Sequence, residues 1–220
     1  NHMHGLDNEV AHIRKDVSFE KAKNGFMVAD PLTLYDCCPT SDGASCVILA
    51  ADHVVKEFTD DPVWMLSSGA ASDNLALHDR PSITQLKASQ SASKKAYKMA
   101  GIKSSDVDFA EVHDCFTIAE LLATEDLGFA QRGKGGEFAR LGMGRRNEGD
   151  VCINPSGGLK SKGHPLGATG TGQAVEVFKQ LKGTVESSRI VRDAEIGITH
   201  NVGGSGATCA VHVFGRNRNV

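Results

Sequence analysis

Several things are scarce in this sequence at once. Only 5% of its 220 residues are aromatic, with a single tryptophan, and only six are proline. No apolar run exceeds the six residues from Cys46 to Ala51. A membrane helix needs about 20, so no membrane association is expected. No charged-then-apolar signal segment is read in the first residues of this sequence, and no secretory leader is expected. Basic residues do not dominate either: 24 Lys+Arg stand against 27 Asp+Glu, a formal net charge of −3. A nucleic-acid binder needs a basic stripe to neutralise phosphates, and none is expected here. The six cysteines contain no CxxC pair, which removes the usual structural-zinc spacing. Cys37 and Cys38 are adjacent, while Cys46, Cys115, Cys152 and Cys209 lie in or beside apolar runs. That is the pattern of reduced thiols packed as small hydrophobes in a reducing, cytoplasmic compartment. His2, His4 and His12 have no acid or cysteine cluster to complete a metal site.

What is abundant is glycine, and it is unevenly spread. Of 24 glycines, 18 lie between Gly128 and Gly206, grouped at 133–144, 157–172 and 203–206. Such density marks backbone that needs conformations a side chain forbids, or backbone approached closely by a ligand. Patterned hydrophobic segments separate the groups, which argues against a flexible linker.

The periodicity predicts a short helix near Phe19–Lys23, a buried strand over Ala44–Ala50, and a short helix over Asp52–Phe58, with Pro62 as a break. Strands follow at Val63–Ser67 and Val107–Val112. Helices are expected at Ile83–Ala100, stopped by Gly101, at Phe116–Leu127, stopped by Gly128, and at Thr169–Lys182. Glu195–Thr199 and Thr208–Phe214 read as strands joined by a glycine turn, which suits an antiparallel pair. From Val63 onward the order is β-α-β-α-loop-α-β-β. Strands alternating with helices predict a layered α/β sheet that is at least partly parallel.

Three segments carry polar residues that a core does not require. Glu111-Val112-His113-Asp114-Cys115-Phe116 sits where a strand ends and a helix begins, a place from which α/β sheets aim functional side chains. His113 could hydrogen-bond a developing oxyanion and Cys115 could shuttle a proton. Asp114, just ahead of the helix, suits its N-cap. The second segment, from Asn154 to Gly170, holds His164 in a glycine- and proline-rich loop that opens a helix. Neither the P-loop GK[ST] nor the dinucleotide GxGxxG is present in it. The third, Thr199-His200-Asn201-Val202-Gly203-Gly204-Ser205-Gly206, suits either a plain hairpin turn or backbone N–H groups arranged as an oxyanion hole.

Taken together, HDCF, GGLKSKGHPLGATG and NVGGSG, in this order and spacing, resemble the C-terminal half of a thiolase. The subgroup is that of sterol-carrier-protein-type and archaeal thiolases, which carry HDCF where other thiolases carry NEAF. The upstream string MVADPLTLYDCCPTSDGASCVILA also resembles that family. The resemblance implies a thiolase fold. Each half of that fold is βαβαβαββ, and two halves form a five-layered αβαβα architecture with a loop domain inserted in the first. Residues 1–30 would then end the inserted loop domain, 31–62 would close the N-terminal half, and 63–220 would be the C-terminal thiolase domain.

The resemblance also implies chemistry. The expected activity is that of an acyl-CoA C-acyltransferase, interconverting acyl-CoA and 3-ketoacyl-CoA by Claisen condensation or thiolysis. Coenzyme A thioesters are the substrates, and no cofactor is bound permanently. His164 matches the histidine that activates the acyl-accepting cysteine and helps bind the thioester oxygen. His113 matches the position that helps build the first oxyanion hole, and Gly203 matches a glycine of the second. Where most thiolases carry a second cysteine in a CxG motif, this chain has Asn201, so Cys115 inherits proton transfer. Phe116, Asn201 and Cys38 are expected against the substrate. None of Cys37, Cys38 or Cys46 has the motif of the acyl-carrying nucleophile, so an N-terminal thiolase portion is expected to supply it. The family resemblance further implies a homo-oligomer, dimer or tetramer, and association with a zinc-ribbon acyl-CoA-binding protein and HMG-CoA synthase. A non-catalytic acyl-CoA- or lipid-binding subunit, and a thiolase-fold ketoacyl synthase or C–C lyase, are the alternatives.

Overall fold

The computed structural model describes residues 1–218. Its elements run α1 (Phe19–Lys23), β1 (Met27–Ala29), β2 (Leu32–Thr33), β3 (Trp64–Ser72), α2 (Lys87–Ala100), β4 (Phe109–Glu111), α3 (Thr117–Asp126), α4 (Gly135–Arg140), β5 (Cys152–Ile153), α5 (Gly158–Ser161), α6 (Thr169–Lys182), β6 (Ile196–Gly203) and β7 (Thr208–Gly215). The main sheet has the strand order β3-β7-β6-β4-β5. β4 pairs in parallel with both β5 and β6, whereas β7 is antiparallel to β6 and β3.

Strand alternation splits the core between the two faces of this sheet. Ala110, Ile198, Val211 and Val213 join Ala88, Ala92 and Ala96 of α2 and Ala123 of α3 in one buried cluster. The neighbouring residue Phe109 points the other way, into a cluster with Val177 and Leu181 of α6. The result is an α/β/α sandwich. Small residues on α2 let it approach the sheet closely. A methyl group at Gly69 of β3 would stand 2.1 Å from the Ala92 carbonyl oxygen, so this crossing requires glycine.

Several expectations hold. α6 has the expected bounds, Gly101 closes α2 with φ 74°, and Gly128 has φ 84° after α3. The glycine turn does join an antiparallel pair. The 128–168 region corrects the simple loop. It contains α4, α5 and the two-residue strand β5, which completes the order βαβαβαββ. Two residues are too few to show a period of two, so periodicity could not reveal this strand.

Two other elements are corrected. Ala44–Ala50 is neither a strand nor buried: no regular structure forms there, and Ile48 is 92% and Leu49 75% exposed. Asp52–Phe58 reduces to a single 3-10 turn at Val55–Glu57. Among the described residues no strand lies alongside this apolar run, and a strand without a neighbour leaves its backbone unpaired. Residues 1–13 contain no helix or strand and instead line the 154–163 loop. There Asn8 Nδ2 donates to the Ser156 carbonyl at 2.7 Å and Ile13 N to the Ser161 carbonyl at 2.9 Å. Among the described residues no helix is long and apolar enough to cross a membrane.

Candidate active site

The centre of the site is the C-terminal end of β4, where the chain turns into α3 beside the 154–168 loop. Three buried polar side chains lock the two segments together. Glu111 accepts from Ser156 N at 2.9 Å and from Ser156 Oγ at 2.6 Å. Asn154, at φ 52°, accepts from Val112 N at 2.8 Å and donates to Glu120 at 2.9 Å. Asp114 accepts from Leu159 N at 2.6 Å and Lys160 N at 3.4 Å.

Asp114 therefore corrects the sequence expectation. Its own helix, α3, has Phe116 at the N-cap position and no side-chain cap, and the carboxylate instead satisfies the second and third N–H groups of α5, 45 and 46 residues away. A methyl at Gly158 would lie 2.4 Å from that carboxylate, and Gly158 has φ 62°. Glycine is required there on both counts. Burial, then Glu120, push Asp114 up to about 6 against the pull of Lys160. Burial likewise lifts Glu111 to about 7, although Lys162 lies 3.7 Å away.

This clamp brings the expected site histidines together. The rings of His113 and His164 meet edge to face with centroids 4.9 Å apart. Burial, reinforced by His164, lowers His113 to about 4, and burial lowers His164 as well. The pair is thus neutral at neutral pH, able to donate or accept through ring nitrogens rather than to act as fixed cations. His113 Nδ1 is buried and has no hydrogen-bond partner. Leaving a buried polar atom unpaired costs about 1–3 kcal/mol, which is the signature of a group awaiting a ligand atom. His164 is fastened at two points: its backbone N donates to Ser41 Oγ at 3.3 Å, and its Nδ1 pairs with Thr169 Oγ1 at 2.7 Å.

Cys115 and Cys38 are also adjacent. Cys38 N donates to the Cys115 carbonyl at 2.9 Å, and Cys37 and Phe116 form an antiparallel bridge. Residues opposed across such a bridge point to the same side. Burial, then Cys38 and Asp114, push the Cys115 thiol to about 11. It rests as a protonated thiol, a holder of a proton rather than a ready nucleophile. Phe116 is exposed at the start of α3.

The third segment is placed differently. Asn201 donates through Nδ2 to Gln173 of α6 at 3.2 Å. It lines, with Gly203, Thr208 and Ala210, a hollow of about 450 Å³ on the sheet. Gly203 is the last residue of β6, paired with Thr208, and makes no hydrogen bond or ring contact with the two histidines. A second open hollow, about 440 Å³, lies between Ser41–Ser45 and Pro165–Ala168, beside His164.

One participant lies in the third polar segment of the sequence but had no role assigned to it there. His200 is fully buried, and its Nδ1 faces the backbone N–H of His113 at 3.5 Å while its Nε2 meets Ser89 Oγ at 2.9 Å. An N–H can only donate, so Nδ1 accepts and Nε2 carries the proton. Burial, then His113, depress His200 to about 3. Its position in the strand next to β4 was the available clue, but β6 pairs with β4 only through the tertiary fold. Among the described residues no group of histidine, cysteine and acidic side chains could hold a metal ion. His4 is bonded to the Ile153 and Asn154 carbonyls and His12 to Ser41, so they do not converge.

The model of the thiolase C-terminal domain-like family matches residues 69–216. An acetyl-CoA acetyltransferase of Methanothermobacter thermautotrophicus is 50% identical over 216 residues, covering 98% of this chain and 56% of the relative. Sterol carrier protein 2 of Oryctolagus cuniculus is 38% identical over 212 residues, covering 94% of this chain and 38% of the relative. The chain thus spans about half the length, or less, of these relatives. In structure, it is similar to a chain of the Ltp2-ChsH2(DUF35) aldolase, with a TM-score of 0.85 at 21% identity, over 100% of this chain and 56% of the other. It is also similar to a monomeric SCP2-thiolase-like protein type 1 from Mycobacterium smegmatis, with a TM-score of 0.72 at 15% identity, over 98% of this chain and 44% of the other. At those identities the structural likeness concerns the fold alone. The family match and the fold agree: this chain belongs to the thiolase family, in its C-terminal domain.

Proposed function

We propose that this chain is the C-terminal part of an acyl-CoA C-acyltransferase that interconverts acetyl-CoA or a longer acyl-CoA and a 3-ketoacyl-CoA. The observation that carries the reading is the neutral His113–His164 pair, with one buried unpartnered nitrogen, on the same turn out of β4 that bears the Cys115 thiol two residues on. The nucleophilic cysteine is supplied by an N-terminal thiolase portion, in the same polypeptide or in a partner chain. In this reading residues 1–30 close an inserted loop domain, 31–62 close the N-terminal half, and 63–220 form the C-terminal domain.

The roles are those the thiolase resemblance implies for these positions, and the contact between His113 and His164 supports them. In the first half-reaction His164 accepts the proton of the nucleophilic thiol, the thiolate attacks the acyl thioester, and coenzyme A leaves with a proton. In condensation Cys115 first passes its thiol proton to the neutral His164 and then, as thiolate, takes the α-proton of the second acyl-CoA. The enolate oxygen receives hydrogen bonds from His113 and the protonated His164, whose extra proton goes to the enzyme thiolate freed at the end. The α-carbon attacks the acyl-enzyme carbonyl, whose oxygen faces the Gly203 N–H. Collapse of that adduct releases the 3-ketoacyl-CoA and the enzyme thiolate. Thiolysis runs the same steps backward, with Cys115 returning its proton to the enolate carbon. A thiol held at about 11 favours this protonating role at rest. Phe116, Asn201 and Cys38 line the path of the substrate. No cofactor is bound permanently. A cytoplasmic homo-oligomer, with a zinc-ribbon acyl-CoA-binding protein and HMG-CoA synthase as associates, completes the proposal.

The test is Cys115→Ala in the full-length enzyme. Turnover should fall about 100-fold or more in both directions, the usual worth of a positioned acid or base, while acetylation of the nucleophilic cysteine by acetyl-CoA persists. Near-wild-type turnover would remove Cys115 from the mechanism. An intact protein that acetyl-CoA never acetylates would instead favour a lyase or a binding subunit.

A further inference from the structure

The environment of His164 contains one side chain that the roles above leave unused. Thr169, in the first turn of α6, places Oγ1 2.7 Å from His164 Nδ1 and 3.0 Å from the Pro165 carbonyl oxygen. Thr169 is buried, and its backbone N–H also reaches the Pro165 carbonyl at 2.9 Å, so the hydroxyl is held between two fixed partners.

A hydroxyl has one hydrogen and two lone pairs. With its hydrogen on the Pro165 carbonyl, Oγ1 accepts from a protonated Nδ1. With its hydrogen turned toward the ring, it donates to a bare Nδ1. Both arrangements use the same heavy-atom positions and differ by one rotation about the Cβ–Oγ1 bond. We propose that Thr169 is a positioning residue for His164, a hydroxyl rotor that keeps Nδ1 paired in every protonation state of the ring. This rests on the catalytic reading of His164 given above, and deepens it. That reading requires Nε2 to accept from a thiol in one step and donate to an oxygen in another. A ring whose Nδ1 lost its partner at each change would lose its orientation with it. The Ser41 contact fixes only the backbone of His164 and cannot perform this role. His113 is the titratable ring that meets His164 edge to face, and no hydrogen bond joins it to Thr169.

The experiment compares Thr169→Val, which keeps the shape and removes the hydroxyl, with Thr169→Ser, which keeps the hydroxyl, in the full-length enzyme. Two quantities are read: kcat and KM for the acyl-CoA, and the protonation midpoint of His164 from its imidazole NMR signal, identified by its loss in His164→Gln. Thr169→Val should lower kcat about 100-fold, the effect of misorienting a catalytic group by about 1 Å, with KM nearly unchanged. It should also shift the His164 midpoint to lower pH, because of the two hydrogen bonds lost the one from the charged ring's Nδ1–H is the stronger. Thr169→Ser should restore both. Unchanged titration in Thr169→Val would overturn the proposal, whatever happens to kcat, because a lost turnover alone would then reflect packing. A shifted midpoint in an enzyme that never turns over acyl-CoA would uphold the role of Thr169 and remove the thiolase reading instead.

Discussion

The 111–164 region and residues 44–58 treat buried and exposed surface in opposite ways. In the first, two carboxylates and an asparagine lie fully buried, each with an assigned partner: Glu111 on Ser156, Asp114 on Leu159 and Lys160, and Asn154 on Val112 and the half-buried Glu120. In the second, Val47, Ile48, Leu49 and Phe58 stand exposed with no regular structure beneath them. Charge is tolerated inside where geometry supplies donors, and apolar surface remains outside where no neighbour covers it. The densest set of buried polar contacts thus lies at the site, while 44–58 holds a run of neighbouring apolar side chains left uncovered.

The largest effect should come from breaking the clamp at its tightest point. Gly158→Ala puts a methyl 2.4 Å from the Asp114 carboxylate at a positive φ. A loss of about 3 kcal/mol or more is expected in urea unfolding, with turnover lost as the His164 loop shifts. Retained stability would mean that the clamp is looser than its hydrogen bonds indicate. Next comes Asp114→Ala, which strips two buried N–H groups of their acceptor. It should cost about 2–3 kcal/mol, and Asp114→Asn should recover part of it through the remaining carbonyl oxygen.

A smaller, pH-dependent effect sharpens the contrast further. His200 is held near 3 in the fold by burial and by His113, against an ordinary value of 6.5. Between these values the unfolded chain binds the extra proton, so this contribution to stability is full above about pH 6.5 and declines as pH falls. By pH 5 the decline should amount to about 1–2 kcal/mol. Glu111, raised to about 7, works in the other direction, losing stability as pH rises from 4.5 toward 7. Urea midpoints measured from pH 7 to 5 should therefore flatten on the acid side in His200→Gln, and an unchanged acid slope would exclude His200 as its source.

The smallest effect belongs to the exposed run. Leu49→Ser should change the stability of this chain by less than about 0.5 kcal/mol. In the full-length protein, where the proposed N-terminal half covers the segment, the same change should cost about 1–2 kcal/mol. Equal small effects in both would show that 44–58 stays uncovered.

Legibility in the sequence followed the range of the interactions involved. α6 was readable to the residue because Ala174, Val175, Phe178 and Leu181 recur at helical spacing, although the face that is buried runs through Gln173, Val177 and Leu181 and leaves Phe178 exposed. His113, Cys115 and His164 stood out through short strings. Asp114 was legible as a cap, but its true partner lies 45 residues downstream. The 44–50 run read as a buried strand because its composition is apolar, yet burial depends on a neighbour that composition cannot supply. His200 and Thr169 look ordinary in sequence and matter through what the fold places beside them.

Local rules, acting over three or four residues, determined the alternation of helices and strands, the glycine stops and the position of the histidine-bearing loops. Only the tertiary structure decided which strands are neighbours, which buried carboxylate holds which loop, and how His164 is fastened. Those outcomes depend on contacts between residues tens of positions apart, whose energies exist only once the chain has closed on itself.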